Sequence, residues 1–309
     1  MKKGSWLHWL SAVLVASVVV VDGAPMQIDW TRVTPVEELD HYWARLPAEM
    51  QIYRNASHHR VGRITNGQEA TPGQFPYQAL VLSEFGSLTS LCGGSVLSVN
   101  FILTAGHCVM LDQNTKSGGG TVIVGAHNRM VVEPTQQRIR FGRSGVFEHP
   151  QYTAADLRFD VAVVRLLSPM VFTEWVYPVR LPARNDGRLF DGLIGTVTGY
   201  GRTSDITTTF ATILQFTSNP VLSNGDCIVL WNAVLVEPQN VCLSGEGGRA
   251  ACNGDSGGPL TIRDGGRTLQ IGITSFGSGN GCTRGTPSVF ARTSFFLDWI
   301  RATSDYVDQ

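Results

Sequence analysis

From Ile64 onward the chain is a succession of short β-branched or alternating runs: Gln78–Leu82, Val96–Thr104, Thr121–Val124, Arg138–Phe147, Val161–Leu167, Thr196–Tyr200, Val241–Leu243, Pro259–Ile262, Leu269–Ser275 and Ser288–Arg292. Gly, Pro, Asn and Asp separate them, and none carries a sustained helical period. Short runs bounded by turn formers predict strands, at the spacing of a barrel or a sandwich. The chain has 34 glycines in 309 residues, where ordinary usage would give about 22, and this excess supplies the turns an all-β chain needs. One segment breaks the pattern. Thr293 or Ser294 can cap a helix in which Phe295, Phe296, Trp299 and Ile300 share a packing face, so a C-terminal helix is expected over 294–307.

The N-terminal end reads as an address followed by a removable segment. Lys2 and Lys3 precede an apolar run from Leu10 to Val21, which is too short for a membrane span of about 20 residues but suits a signal-peptide core. Small residues follow, and cleavage after Gly23 is expected, giving residues 1–23 as signal peptide and a secreted, extracellular protein. Residues 24–63 contain no cysteine, are rich in charge and aromatics (Trp30, Glu37, Glu38, Tyr42, Trp43) and end in the basic stretch His58-His59-Arg60-Val61-Gly62-Arg63. They read as a pro-segment ahead of a main domain at 64–309. The sequon Asn55-Ala56-Ser57 lies within it, so any N-glycan there would leave with it.

Charge excludes several functions. Lys plus Arg number 24 against 25 Asp plus Glu, a net charge of -1, so nothing draws the chain to nucleic acid or to anionic lipid. No nucleic-acid or membrane partner is expected. The six cysteines, Cys92, Cys108, Cys227, Cys242, Cys252 and Cys282, are an even number in an oxidising compartment and predict three disulfides, with the connectivity left open by spacing. No CxxC pair suggests a zinc site.

The densest chemical signal is Cys252-Asn253-Gly254-Asp255-Ser256-Gly257-Gly258-Pro259, a serine on glycine turns that let a substrate approach closely. By spacing it also fits G-x-S-x-G, but the hydrolase elbow of that pattern needs its histidine after the serine. No histidine follows His149, so a base for Ser256 lies upstream. The order Asp, His, Ser fails as well, because no Asp lies between Ile64 and His107. His, Asp, Ser remains. Among the upstream histidines, His107 stands beside Cys108 at the end of an apolar strand, whereas His127 and His149 have no such support and are the weaker candidates. Asp160 heads the apolar strand Val161–Val164, where an unpaired charge would be costly and an imidazole is the natural partner.

Together, TAGHC at 104–108, DVAVVRL at 160–166 and GDSGGP at 254–259 resemble the three signatures of chymotrypsin-like serine endopeptidases, over Ile64 to Val307. The pro-segment, CNGDSGGP and SFGS are similar to insect digestive chymotrypsins and brachyurin-type serine collagenases. The resemblance implies an all-β fold of two six-stranded antiparallel Greek-key barrels, the first over 64–180 and the second over 181–292, with the active site between them. It implies disulfides Cys92–Cys108, Cys227–Cys242 and Cys252–Cys282. It implies a triad of His107, Asp160 and Ser256, with the N–H groups of Gly254 and Ser256 as oxyanion hole. No metal or other cofactor is called for, and Ala126 stands where the family's calcium loop would place a carboxylate, so no calcium is expected. Cleavage after Arg63 by a trypsin-like activator would free the α-amino group of Ile64 to pair with Asp255, and with no cysteine upstream of Cys92 the released pro-segment is expected to be lost.

Specificity follows from the same resemblance. It places Ala250 at the pocket floor, Gly277 on its wall and Ser288 opposite, with Ser275 among the pocket residues and turned toward Asp160. None is acidic, which disfavours a buried Arg or Lys. Gly277 leaves the entrance open to Phe, Tyr, Leu or Met. The expected protein is a monomeric digestive endopeptidase acting on protein or peptide substrates, with protein protease inhibitors as further partners. Elastase-like cleavage after Ala, Val or Leu is the alternative within the enzyme class. An inert homologue that acts by binding is the alternative outside it.

Overall fold

A computed structural model describes residues 26–46, 66–205, 209–231, 235–278 and 281–308. The expectations for the signal peptide, for Asn55, and for Arg63 and Ile64 lie outside the described residues.

Two short strands, β1 (Val33–Pro35) and β2 (Gln68–Glu69), attach to the outsides of two larger closed sheets. The first is built from β3 (Gln78–Phe85), β4 (Leu88–Val96), β5 (Phe101–Thr104), β6 (Gly119–Val124), β7 (Gln137–Glu148) and β8 (Ala162–Leu166). Its order is β4-β3-β6-β7-β8-β5, and pairing of β4 with β5 closes it. The second uses β9 (Ile194–Gly199), β10 (Gln215–Leu222), β11 (Asn240–Leu243), β12 (Pro259–Asp264), β13 (Arg267–Phe276) and β14 (Ser288–Arg292) in the order β11-β14-β13-β12-β9-β10, closed by β10 on β11. In each barrel three consecutive strands are neighbours and the fourth returns beside the first, the Greek-key arrangement. The fold is thus the two-barrel one expected. Among the described residues no helix is long and apolar enough to cross a membrane.

Alternation explains the strands. In β6 every residue is buried, and in β8 only Arg165 reaches solvent, so β6 ends in Val-Ile-Val and β8 reads Ala-Val-Val-Arg-Leu. In β10 burial alternates, but the inward positions include the polar Gln215, Thr217 and Asn219. The Asn219 amide nitrogen there donates to the carbonyls of Ser244, Glu246 and Arg249, at 2.6, 3.1 and 3.2 Å.

The C-terminal helix spans Thr293–Thr303, shorter than expected. Its N-cap is Arg292 with no side-chain cap, because the Thr293 hydroxyl donates instead to the carbonyl of Gln270 at 2.7 Å. Its buried stripe is Thr293, Phe296, Leu297 and Ile300, at helical spacing, while Phe295 stays half exposed. This helix closes on the first barrel through Phe296, which meets His149 and Phe159, and the residues just after it extend the contact: Asn100 donates to Asp305 at 2.8 Å, and the backbone N–H of Leu181, between the barrels, donates to the Tyr306 hydroxyl at 3.0 Å. Conversely β2, which precedes the first barrel in sequence, pairs with β10 of the second. Each barrel is therefore clasped by a segment from the other end of the chain.

The barrels meet where Gly93 of β4 faces Gly258. A Cβ on Gly93 would lie 2.9 Å from the Gly258 Cα, so only glycine permits this approach. The N–H of Gly93 donates to the carbonyl of Ser256 at 2.7 Å, fixing the serine turn against the first barrel.

Candidate active site

Sulfur bridges hold two of the three chemically suspect segments, those of His107 and Ser256. Cys92–Cys108, Cys227–Cys242 and Cys252–Cys282 are joined, with Cα separations of 5.9, 6.3 and 5.6 Å. These are the pairs the resemblance implies. The first ties β4 to a single helical turn, Gly106–Val109, that follows β5 and carries His107. The third pins the residue that opens the serine turn to Cys282. Disulfides closing loops of this length add about 3 kcal/mol each in the chain-entropy model. Among the described residues, the two places where three potential metal ligands converge, Cys92 with His107 and Cys108, and Asp205 with Cys252 and Cys282, are each built on one of these bridges, whose sulfurs are not free to ligate.

His107 and Asp160 are both buried and doubly joined. The imidazole Nδ1 lies 2.8 Å from Asp160 Oδ2, and the His107 backbone N–H donates to Oδ1 at 2.9 Å. The Ser275 hydroxyl adds a third donor to Oδ2 at 2.6 Å. Burial alone would raise the Asp160 pKa, but attraction to His107 and the hydrogen bonds from His107 and Ser275 outweigh it and hold the carboxyl below its ordinary value. The approach to Asp160 is strained. Phe159 sits at φ 49° and Leu157 at φ 53°, left-handed conformations costly for bulky residues. The Phe159 N–H donates to Gln239 at 2.7 Å, and its ring stacks on His149 and borders Phe295 and Phe296, so tertiary packing supports the strain. His149, the weaker base candidate, is thereby occupied as a packing ring, and burial lowers its pKa.

Ser256 projects from a turn that only its glycines allow. Gly257 has φ 78°, and a Cβ there would lie 2.6 Å from the Gly93 carbonyl and closer still to the Thr104 hydroxyl. Beside it Asp255 is fully buried, its two oxygens accepting from the N–H groups of Gly201 and Cys252 at 2.8 and 2.9 Å. No cation pairs with it among the described residues. Burial raises its pKa from 3.8 to about 7, the two backbone hydrogen bonds pull the other way, and Glu37 adds to the rise.

The cavity beside Ser256 is lined by Ala251, Cys252, Thr274, Phe276, Gly277 and Ser278. Of the four expected pocket residues only Gly277 borders it. Ser275 sits where the β13–β14 register shifts between Thr274 and Phe276, and its hydroxyl goes to Asp160. Ser288 lies behind the wall, accepting from the Ala251 N–H at 3.1 Å, and Ala250 is buried beyond the cavity. No acidic residue of the two barrels lines the cavity.

Sequence reasoning missed part of the site. Glu37, Tyr42 and Trp43 also line the cavity beside Ser256. Glu37 accepts from the Gly254 N–H at 3.1 Å, and the Tyr42 ring meets the His107 imidazole edge-on at 5.6 Å. His107 Nε2 is buried and makes no hydrogen bond. The signal was the aromatic richness of residues 24–46, unusual for a solvated linker. Asp205 was missed too; it accepts from the N–H groups of Cys282 and Thr283 at 2.6 and 3.1 Å, and so orders the loop after the third bridge.

Comparison with known proteins agrees with this geometry. The Trypsin family matches residues 64–300. A chymotrypsin from Phaedon cochleariae is 38% identical over 244 residues, 79% of this chain and 83% of that protein. A brachyurin from Leptuca pugilator is 37% identical over 238 residues, covering 77% of this chain and 97% of its own. A solved collagenase structure superposes with a TM-score of 0.67 at 31% identity, covering 77% of this chain and 96% of that one.

Proposed function

This chain belongs to the trypsin family and is a serine endopeptidase, and on that premise we propose that His107, Asp160 and Ser256 are its catalytic triad, in a secreted zymogen activated by cleavage after Arg63. The observation that carries the reading is the buried, doubly hydrogen-bonded His107–Asp160 pair, whose imidazole meets Tyr42, a residue that lines the cavity beside Ser256. In the reaction, His107 accepts the Ser256 hydroxyl proton through Nε2 as the oxygen attacks the scissile carbonyl, and returns it to the leaving amine. Asp160 fixes the tautomer and stabilises the imidazolium, and Ser275 keeps that carboxylate ionised and aimed. The N–H groups of Gly254 and Ser256 receive the oxyanion, each contributing ~3–4 kcal/mol to the transition state. Water then hydrolyses the acyl-enzyme.

Activation resolves the Asp255 anomaly. A buried carboxyl with no cation is poised for one, and the α-amino group of a newly freed Ile64 supplies it. For specificity we favour large apolar or aromatic residues before the scissile bond. The cavity has Phe276 and Gly277 on its border and no acid from the barrels, and Ser288, whose hydroxyl is tied to Ala251, does not narrow it. Three disulfides fit an oxidising, extracellular compartment, with digestion of protein as the role.

A peptide-library assay on the secreted protein before and after limited trypsin treatment, with N-terminal sequencing, tests these points together. Cleavage after Phe, Tyr or Leu, appearing only with an Ile64 terminus and absent in Ser256→Ala, is the expected result. A protein with a clean Ile64 terminus that stays inert at every dilution would refute the catalytic assignment.

A further inference from the structure

Residues 26–46 run along the first barrel and finish inside the cleft. Arg138 donates to the Met26 carbonyl at 2.6 Å, the Arg129 guanidinium lies 4.8 Å from the Trp30 ring centroid, and β1 pairs in parallel with Thr89–Leu91. Beyond β1, a 3-10 turn at Val36–Glu38 and a short helix, Asp40–Ala44, fold back over the site. Three side chains then meet three parts of the machinery. The Glu37 carboxylate takes the Gly254 N–H, Tyr42 lies on His107, and Trp43 borders the cavity beside Ser256. The turn is braced from within and without: the Trp43 indole N–H donates to the Glu37 carbonyl at 2.7 Å, Glu38 pairs with Arg202, and Arg45 donates to the carbonyls of Met110 and Leu111. Val36, Glu37, Tyr42 and Leu46 are all buried.

We infer that residues 26–46 are a peptide inhibitor built into the chain, which fills the substrate cleft by placing a carboxylate on the Gly254 amide and which stays a ligand of that cleft after the chain is cut. The inference rests on the peptidase reading above. What the segment offers to the Gly254 amide is a side-chain carboxyl, without an amine leaving group, in the place of a scissile carbonyl. A carboxylate resists acyl transfer to serine, so the segment occupies the site as an inhibitor and not as a substrate. The Tyr42 ring meanwhile covers a histidine whose Nε2 has no hydrogen-bond partner. None of the contacts named here involves residues 47–65, so breaking the bond after Arg63 removes none of them. The absence of a disulfide tether, which alone would release the segment, is offset by this buried, specific docking. Activation then needs two events: cleavage, and dissociation or digestion of the segment.

The test uses the whole protein cut at Arg63, with intact mass establishing that 26–46 remains whole. Hydrolysis of a small chromogenic peptide substrate is followed while the cut protein is diluted from micromolar to nanomolar. Activity per molecule is expected to rise on dilution with a lag, and added synthetic 26–46 peptide is expected to reverse the rise competitively. Peptide carrying Glu37→Gln, which loses a charge-assisted hydrogen bond to Gly254, is expected to inhibit about tenfold less well or worse, as is Tyr42→Ala. Activity per molecule that is independent of dilution and unmoved by about 1 mM peptide overturns the inference. If the cut protein hydrolyses nothing at any dilution, the peptidase reading fails instead. Fluorescence anisotropy of labelled 26–46 peptide at low and high cut-protein concentration then decides the docking by itself: saturable binding weakened by Glu37→Gln supports it, and no binding rejects it.

Discussion

Replacing Asp255 by asparagine in the uncut chain is expected to flatten the pH dependence of its stability. A carboxyl whose folded pKa lies above its unfolded value keeps a proton in the folded state at pH values where the unfolded chain has released it. Stability therefore falls as pH rises from about 4 to 7 and is level above that. Moving Asp255 from 3.8 to about 7 corresponds to a span on the order of 4 kcal/mol. Glu38, raised by burial, adds a slope of the same sign, and Asp160, held low, one of the opposite sign. Both are present with and without the substitution and cancel in the comparison. Asparagine brings its own penalty, because its amide N–H₂ must face the N–H of Gly201 or Cys252, at a cost of about 1–3 kcal/mol, but that offset does not vary with pH. The assay is urea denaturation in a Ser256→Ala background, which blocks self-processing, at pH values from 4.5 to 8. The stability difference between the parent and the Asp255→Asn variant should change by several kcal/mol across the window. After cleavage the sign should reverse, since an ammonium partner holds the carboxyl low and the pair is lost as pH falls. Identical slopes in the two uncut proteins would refute the claim that a buried, cation-free carboxyl sits beside the nucleophile.

Other perturbations follow from the same geometry. Ser275→Ala removes one of three donors to Asp160 and is expected to lower kcat about 10- to 100-fold, with little change in KM, in steady-state assays of the cut protein. Gly257→Ala must place a methyl 2.6 Å from the Gly93 carbonyl at φ 78°, and should cost at least about 2 kcal/mol in urea unfolding. Joint replacement of Cys92 and Cys108 by alanine should cost ~3 kcal/mol and lower Tm by about 6–12 °C in calorimetry.

How much of this was legible in the sequence depended on whether a local signal agreed with its tertiary use. The apolar runs that became β6, β8, β12, β13 and β14 were visible because burial on both faces demands Val, Ile and Leu. β10 was invisible for the opposite reason: three of its inward side chains, Gln215, Thr217 and Asn219, are polar, and Asn219 bonds loop carbonyls. β4 up to Val96 escaped because Ser90, Gly93, Gly94 and Ser95 break any apolar pattern, and the smallness of Gly93 answers close packing against Gly258. For the site, residue order narrowed the choice to a His, Asp, Ser series, and strand context together with the family resemblance pointed to His107, Asp160 and Ser256; in the structure His107 and Asp160 are joined, and the Gly93 N–H donates to the Ser256 carbonyl. The pocket was less legible. Alignment outward from cysteines locates a segment, but whether a side chain at 275 or 288 faces the cavity depends on a register shift that spacing does not encode. The docking of residues 26–46 was beyond reach because it depends on contacts across more than 200 positions of sequence, as between Glu37 and Gly254.

The clasp made by the C-terminal helix sets a clock on the enzyme's birth. Phe159, which holds Asp160 in place from a left-handed conformation, leans on Phe295 and Phe296, and Asn100 and Leu181 are tied by Asp305 and Tyr306. Those partners leave the ribosome after the whole of the first barrel, which emerges earlier and begins to fold as a unit. Asp160 therefore reaches its final position only after the segment through Tyr306 has been made. A nascent or prematurely terminated chain carries a first barrel without an aligned carboxylate behind its histidine, which protects the compartment that makes it during the interval before the 26–46 segment has a finished cleft to fill.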